Sequence, residues 1–233
     1  MFTYKEHRER LRKRFRDESL ENFSEVHALE LLLFYAIPQK DTKPLARELL
    51  NRFGSFSNVL EAPYEELITV DGVGPNVATY LMLLNETGRY QRVRNLDKIR
   101  ILDNINACGE YLLEFFHGRR NETIYLLCLD AKKKVRGCML VAEGSVNAIS
   151  LSVRKIAELA LAANATSVIL AHNHPGGFAF PSNEDVAVTR QVGTALSSLG
   201  IILADHIVVS DGDFVSLVQS GFYRPGECKM FLD

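Results

Sequence analysis

Four residues in the stretch Ala171 to Asp185, AHNHPGGFAFPSNED, have types and a spacing that could do chemistry. They are His172, His174, Ser182 and Asp185, in the pattern H-x-H-x7-S-x2-D. On an extended backbone, residues two apart point to the same face, so His172 and His174 offer two imidazoles to one metal. Asp185 lies in the first turn of a run with helical spacing, where its carboxylate can swing back as a third ligand. Two histidines and a carboxylate leave the fourth tetrahedral position open for water, as a catalytic zinc requires. Other roles fit the same residues taken singly. Ser182 and Asp185 form a capping-box-like S-x-x-D pair at a helix start. A lone H-x-H pair in a loop is often just solvated. The combination, in a strand–loop–helix setting, favours the metal.

The elements that must position these groups are readable around them. Ser167 to Ala171, SVILA, is a short β-branched run and reads as a buried strand. Pro175, Gly176 and Gly177 form a loop by composition. A helix follows from Ser182 to Leu199, and strands at Ile201 to Val209 and Phe214 to Leu217 flank a turn at Asp211-Gly212. Upstream lie a helix at Asn104 to His117, strands at Thr123 to Leu129 and Val135 to Val141, and a helix at Ser152 to Ala163. Strands and helices mix without strict alternation, which reads as α+β.

The first part of the chain is helical throughout. Lys5 to Arg16 carries seven basic residues against Glu6 and Glu9. It is either a phosphate-contacting arm or, by a somewhat stronger reading, a solvated helix face with intrahelical ion pairs. Glu25 to Ala36 places Val26, Leu29, Leu32, Leu33 and Ala36 on one face of a buried helix. Asp41 or Thr42 caps the next helix, with Pro44 in its first turn and Gly54 as its stop. Gly72-Val73-Gly74 then sits between short helices at Tyr64 to Thr69 and Asn76 to Asn85, in a helix-hairpin-helix pattern. Glycines there let the backbone approach a phosphate, and the following helix offers free N–H groups, a device that contacts DNA without reading its sequence. A purely structural hairpin is the equal alternative. The positions after the hairpin, Pro75, Asn76 and Val77, lack the Lys or Arg often found there.

The whole chain of 233 residues has a formal net charge of −2 and is 47% hydrophobic. That is an ordinary globular composition and excludes nucleic-acid binding by bulk charge alone. No apolar run is long enough to span a membrane, and the basic N-terminal stretch is not followed by a signal-peptide core. Cys108, Cys128, Cys138 and Cys228 make no C-x-x-C pair and read as thiols in a reducing, cytoplasmic setting.

H-x-H-P followed by S-x2-D resembles the JAMM (MPN-plus) metalloprotease signature. The wider stretch GSVNAISLSVRKIAELALAANATSVILAHNHPGG resembles the bacterial RadC family. The chain departs from that family's usual loop at Pro175-Gly176-Gly177 and at Val153-Arg154-Lys155. The resemblance implies a JAMM/MPN-like mixed-sheet domain flanked by helices, at residues 102–224. Before it come an all-helical helix-hairpin-helix domain at 1–90 and a linker at 91–101, and after it a tail at 225–233. It implies one catalytic zinc ion on His172, His174 and Asp185, and hydrolysis of a peptide or isopeptide bond by metal-activated water. The general base is then Glu122, at the head of NETIYLLCLD, with Glu143 as its competitor, and Ser182 donates to the tetrahedral oxyanion. Asp205 and His206 could orient a ligand imidazole, although a satisfied half-buried histidine is the plainer reading. The alternative function is a DNA-associated scaffold or repair accessory with a structural or vestigial metal site.

Overall fold

The computed structural model describes residues 4–96, 101–144, 152–210 and 212–226. Residues 145–151 of the RadC-like stretch, residues 97–100, Asp211 and Cys228 lie outside the described residues. The chain divides into two compact units, Met1–Tyr90 and Gln91–Asp233.

The first unit is helical: α1 (Tyr4–Glu18), α2 (Glu25–Ala36), α3 (Lys43–Phe53), α4 (Phe56–Glu61), α5 (Tyr64–Leu67) and the first part of α6 (Pro75–Leu96). Its main core gathers Leu29 and Leu33 of α2, Ala46 and Leu49 of α3, and Val77, Ala78 and Leu81 of α6. The one-faced reading of α2 needs correction. Leu31 and Phe34 are also buried, against Leu11 of α1, while Leu32 is only half-buried. Because α1 packs on α2, a second side of α2 is covered.

The basic run of α1 supplies that packing. Arg8 is buried; its guanidinium donates to the carbonyls of Pro38 at 2.5 Å and Lys40 at 3.0 Å and lies over the Phe34 ring. Arg14 donates to the Glu18 carboxylate and to the Asn22 carbonyl, and Arg16 pairs with Glu9. Pro38 and Lys40 lie in the turn between α2 and α3, so the guanidinium satisfies carbonyls of that turn. The run is therefore partly ion-paired, as a solvated face would be, but Arg8 is an internal clip rather than a solvated residue.

The helical hairpin turns at Gly72, whose φ of +86° favours glycine. The helix after it is longer than the sequence suggests. The stretch Gly88 to Arg100 and the linker at 91–101 read as polar connection, yet α6 runs unbroken to Leu96. Arg, Gln and Leu are good helix formers, Glu86 pairs with Arg89 three residues on, and Val93 and Leu96 find apolar contacts. Gly88 costs the helix only about 0.5–1 kcal/mol relative to alanine. Ile101 then bridges to Lys134.

The second unit is built on a mixed five-stranded sheet in the order β2-β1-β3-β4-β5. The strands are β1 (Glu122–Leu129), β2 (Val135–Gly144), β3 (Ser167–Asn173), β4 (Ile202–Ser210) and β5 (Asp213–Ser216). The β3–β4 pair is parallel and the others are antiparallel. Three helices cover the faces: α7 (Ile105–Phe116) on one, α8 (Val153–Ala162) and α9 (Asn183–Ser198) on the other. Strand alternation explains the layers. Tyr125, Leu127, Ile169 and Ala171 meet Tyr111, Leu112 and Phe115 of α7. Leu126, Cys128, Val168 and Leu170 meet Ile156 of α8 and Val192 and Leu196 of α9. Every residue of β3 is buried, as befits a strand covered on both faces. α9 seats closely because Gly193 leaves room for Tyr223, whose hydroxyl would lie 2.5 Å from a β-carbon there. Among the described residues no helix is long and apolar enough to cross a membrane.

Candidate metal centre

The central strand β3 carries the motif to the end of the sheet. His172 pairs with Ile124 of β1 and Val208 of β4 and points to the α9 side. His174 lies just past the strand, but its N–H still donates to the Val209 carbonyl at 2.8 Å, so the extended run continues through it. The loop then folds under it. Ser210 donates to the His174 carbonyl at 3.2 Å and the Gly177 carbonyl at 2.6 Å. Gly176 turns the chain with φ +69°.

Ser182 is the N-cap of α9, and a complete capping box is present. Its hydroxyl accepts from the Asp185 N–H at 3.1 Å and donates to Asp185 Oδ2 at 2.6 Å, and its own N–H donates to the same oxygen at 2.8 Å. Asp185 thus caps the helix, and its carboxylate also stands beside both imidazoles. Asp185 Oδ1 stands 3.2 Å from His172 Nε2, and Oδ2 stands 3.7 Å from His174 Nε2. The two Nε2 atoms are 2.9 Å apart. Burial would raise the Asp185 pKa, but the His172 imidazole and the two Ser182 donors outweigh it and hold the carboxyl below its usual range.

His172, His174 and Asp185 are, among the described residues, the group of acid, histidine and cysteine side chains that could hold an ion. The donor chemistry fits one. A tetrahedral ion with bonds of about 2.0–2.2 Å keeps its ligand atoms about 3.3–3.6 Å apart, and the three separations here bracket that spacing. His174 Nδ1 faces the Phe178 carbonyl at 3.2 Å, an acceptor only, so Nδ1 carries the hydrogen and Nε2 keeps its lone pair. Nε2 of both rings and the Asp185 carboxylate thus converge on one position, the donor set a zinc ion takes.

The two candidate bases part company on strand parity. Glu122 is the first residue of β1, two before Ile124, and so shares the face that Ile124 and His172 use. Glu143 pairs with Thr123 and faces the other way, toward α7. Its carboxylate is held by both oxygens at 3.0 Å from Arg119 Nη1, and Arg119 also donates to the Tyr125 hydroxyl.

The Asp205-His206 pair also splits across the sheet. Asp205 accepts from the Ser216 hydroxyl and from the N–H groups of His206 and Val218, at the start of the segment after β5. Burial raises its pKa, with Ser216 opposing. It does not reach the metal residues. His206 does: fully enclosed rather than half-buried, its Nε2 lies 2.8 Å from His172 Nδ1. His206 is satisfied, with Thr189 Oγ1 at its other ring nitrogen, but buried rather than half-buried, and its contact with His172 follows from the parallel, near-register pairing of β3 and β4. One further residue was not singled out in the sequence. Asn173, between the two histidines, points to the opposite face. Its Oδ1 accepts from Thr123 N at 2.7 Å, and its amide donates to the Asn121 carbonyl at 3.2 Å. Asn173 thereby pins the segment that carries Glu122.

Comparison with known proteins agrees with this architecture. Residues 102–222 match the family model of the RadC-like JAB domain, and residues 43–84 match that of a helix-hairpin-helix motif. A UPF0758 protein of Fusobacterium nucleatum is 34% identical over 222 residues, 92% of this chain and 96% of its own length. UPF0758 proteins of Ruegeria pomeroyi and Rhodobacter capsulatus are 35% and 37% identical, across 94% and 91% of this chain and 97% and 99% of their own lengths. With a five-stranded mixed sheet under helices following a helical hairpin unit, the chain belongs to the RadC family, a RadC-like JAB domain joined to a helix-hairpin-helix motif.

Proposed function

We propose that this chain is a zinc-dependent hydrolase of peptide or isopeptide bonds. The observation that carries the reading is the convergence of His172 Nε2, His174 Nε2 and Asp185 on one point at the end of β3. These three side chains hold the ion, and half-buried His174 and Asp185 leave the cluster accessible to substrate. A zinc ion so held supplies a Lewis acid and lowers the pKa of its water. The chain's own residues do the rest. Glu122, on the His172 face of β1, takes a proton from the attacking water and returns it to the leaving amine. Ser182 donates to the tetrahedral oxyanion, which requires its hydroxyl to turn from Asp185 Oδ2 during the reaction. Asn173 and Asp185 fix the two arms of the site on separate elements. The deciding experiment measures the metal content of the purified protein and screens peptide and isopeptide libraries with and without chelator. Stoichiometric zinc with chelator-sensitive cleavage supports the reading, and a metal-free protein that cleaves nothing after zinc loading removes it.

A second reading has its own support. The helix-hairpin-helix match and the left-handed Gly72 favour sequence-indifferent contact of Gly72-Val73-Gly74 with a DNA backbone. This contact would place the hydrolase near nucleic acid rather than replace its chemistry. A DNA-binding assay at low salt tests it.

A further inference from the structure

We infer that Phe178 and Phe180 form an apolar landing on which a peptide substrate rests a large apolar side chain close to the bond to be cut. This role rests on the hydrolase reading for the position of the substrate, while the loop itself is defined by contacts that need no metal.

The loop from Pro175 to Pro181, PGGFAFP, joins two parts of the candidate centre: His174 precedes it and Ser182 follows it. No charged residue occurs from Pro175 to Asn183. The loop therefore selects by apolar contact and backbone polarity, not by charge. Its shape is set by its backbone. The Ser210 hydroxyl holds the His174 and Gly177 carbonyls. The Gly177 N–H donates to the His174 carbonyl at 3.2 Å, and the Phe180 N–H donates to the Phe178 carbonyl at 2.7 Å. That Phe178 carbonyl also lies 3.2 Å from His174 Nδ1. Pro181 is buried, which anchors the far end of the loop beside the helix cap.

This pinned backbone leaves its two aromatic side chains outside. Phe178 is 90% exposed and Phe180 is 64% exposed, the two highest values for a large apolar side chain among the described residues. Single exposed apolar residues are ordinary on a protein surface. Here the two most exposed fall two residues apart in one uncharged loop, between two residues of the candidate centre. Phe180 has a backing. Its ring meets that of half-buried Phe222 edge-on, with centroids 5.8 Å apart, and Phe222 packs on the core under α8 and α9. Phe178 extends this apolar surface outward.

Location says what covers the surface. The Phe178 backbone is one hydrogen bond from a proposed ligand ring. An extended peptide advances about 3.3–3.6 Å per residue, so side chains within about three residues of the scissile bond lie within reach of the loop. An aromatic or large aliphatic side chain gains most there, because contact removes apolar surface of both partners from water. A charged side chain finds no opposite charge in the loop. A loop already fixed by its own hydrogen bonds loses little freedom on contact, so the gain appears as affinity. The substrate class is a peptide with a bulky apolar residue beside the bond to be cut.

The test uses the full chain, with and without added zinc, and two acetylated pentapeptide amides. One has phenylalanine and the other alanine at the second and fourth positions, with glycine elsewhere. Peptide NMR signals follow binding, and mass spectrometry follows cleavage. The phenylalanine peptide should bind about 10-fold more tightly. Phe178→Ala should remove that preference and leave zinc content unchanged, because Phe178 meets His174 through its backbone carbonyl. Phe178→Leu should keep most of the preference. Equal binding of the two peptides, binding of neither, or a preference that survives Phe178→Ala overturns the inference. Self-association seen by sedimentation and abolished by Phe178→Ala assigns the surface to a second copy and also overturns it. Cleavage without any preference sinks the landing and leaves the hydrolase reading standing. A preference lost in Phe178→Ala, in a chain that cleaves nothing after zinc loading, supports the landing and sinks the hydrolase reading instead.

Discussion

Asp185 Oδ2 accepts two hydrogen bonds from Ser182, one from its backbone N–H and one from its hydroxyl, while Oδ1 of the same carboxylate stands 3.2 Å from His172. The helix cap and the proposed metal site therefore share one carboxylate. The capping box holds the carboxylate in a single orientation before any ion arrives, and pre-orientation removes an ordering cost from binding. Separate variants can pull the two roles apart. Asp185→Asn keeps an oxygen for the Ser182 donors, so the helix start should survive with a stability change of about 1 kcal/mol or less. Zinc affinity should fall sharply, because an amide is a poor substitute for the charged ligand. Chelation should then lower the melting temperature of the wild type and leave that of Asp185→Asn unchanged. Equal responses of the two proteins to chelator would show that Asp185 only caps the helix.

The basic helix yields a different kind of test. Arg8 donates to at least two backbone carbonyls and stacks on Phe34, so Arg8→Ala should destabilise the helical unit by about 2–3 kcal/mol, the usual cost of losing charged hydrogen bonds. Chemical denaturation of the wild type and variant checks it. For DNA, Arg12 and Arg14 are poor probes, since each also lies over an aromatic ring or carboxylate within the fold. Lys13 is exposed and is the cleaner choice. If the hairpin and α1 bind DNA, affinity should fall steeply with salt, and Lys13→Ala should weaken it equally on unrelated sequences. Absence of binding at low salt ends that hypothesis.

Local patterns were the legible part of this molecule. His172 and His174 could be placed on one face from strand periodicity alone, and Asp185 from the spacing of a helix start. The helix α7 begins after its Asn104 cap and buries Cys108, Tyr111, Leu112, Phe115 and Phe116, a set written plainly in its spacing. What the sequence hid depends on register. The contact between His172 and His206 spans residues far apart in the chain and follows from parallel pairing of β3 with β4. The choice between Glu122 and Glu143 turns on which face each residue takes, and β1 and β2 slip register between Ile124 and Tyr125. An unmarked bulge of this kind flips every later residue to the other face. The end of α6 was hidden for another reason: polar, arginine-rich composition suits an exposed helix as well as a linker.

The thiols give a pH-dependent prediction. Burial raises the Cys128 pKa from 9.0 to about 12, because the ionised sulfur would lose its water. Burial, with Asp205 adding to it, raises Cys108 to about 11. A folded-state pKa raised above the unfolded value means that the unfolded chain loses its proton first as pH rises. Stability from these groups is complete below about pH 9 and is lost progressively toward pH 11–12. Urea midpoints should therefore fall between pH 8.5 and pH 10.5, and Cys128→Ala should flatten that slope while lowering stability at pH 8. Native-state alkylation at pH 8 should leave both cysteines unmodified, and denaturant should expose them. Rapid labelling of Cys128 in the folded chain would contradict its burial.

Glu122 and Glu143 offer the sharpest mechanistic contrast. They head and close paired strands only a residue out of step, yet they serve opposite faces of the sheet. Glu143 already has a partner, and its pair with Arg119 is partly solvated, so Glu143→Gln should cost at most about 1 kcal/mol of stability. It should not change zinc content or turnover of a substrate found by library screening. Glu122→Gln keeps the shape of the side chain but cannot accept a proton. It should bind zinc normally and lose about 100- to 10,000-fold in rate. Asn173→Ala should fall between them, because it frees the backbone that carries Glu122 without removing the carboxylate. Its zinc affinity should stay within a few-fold of the wild type while its rate drops. His172→Ala, in contrast, should lose zinc and activity together. Should Glu143→Gln be the slow variant and Glu122→Gln the unaffected one, the base has been placed on the wrong face of the sheet. Full activity in both would remove general-base hydrolysis at this centre.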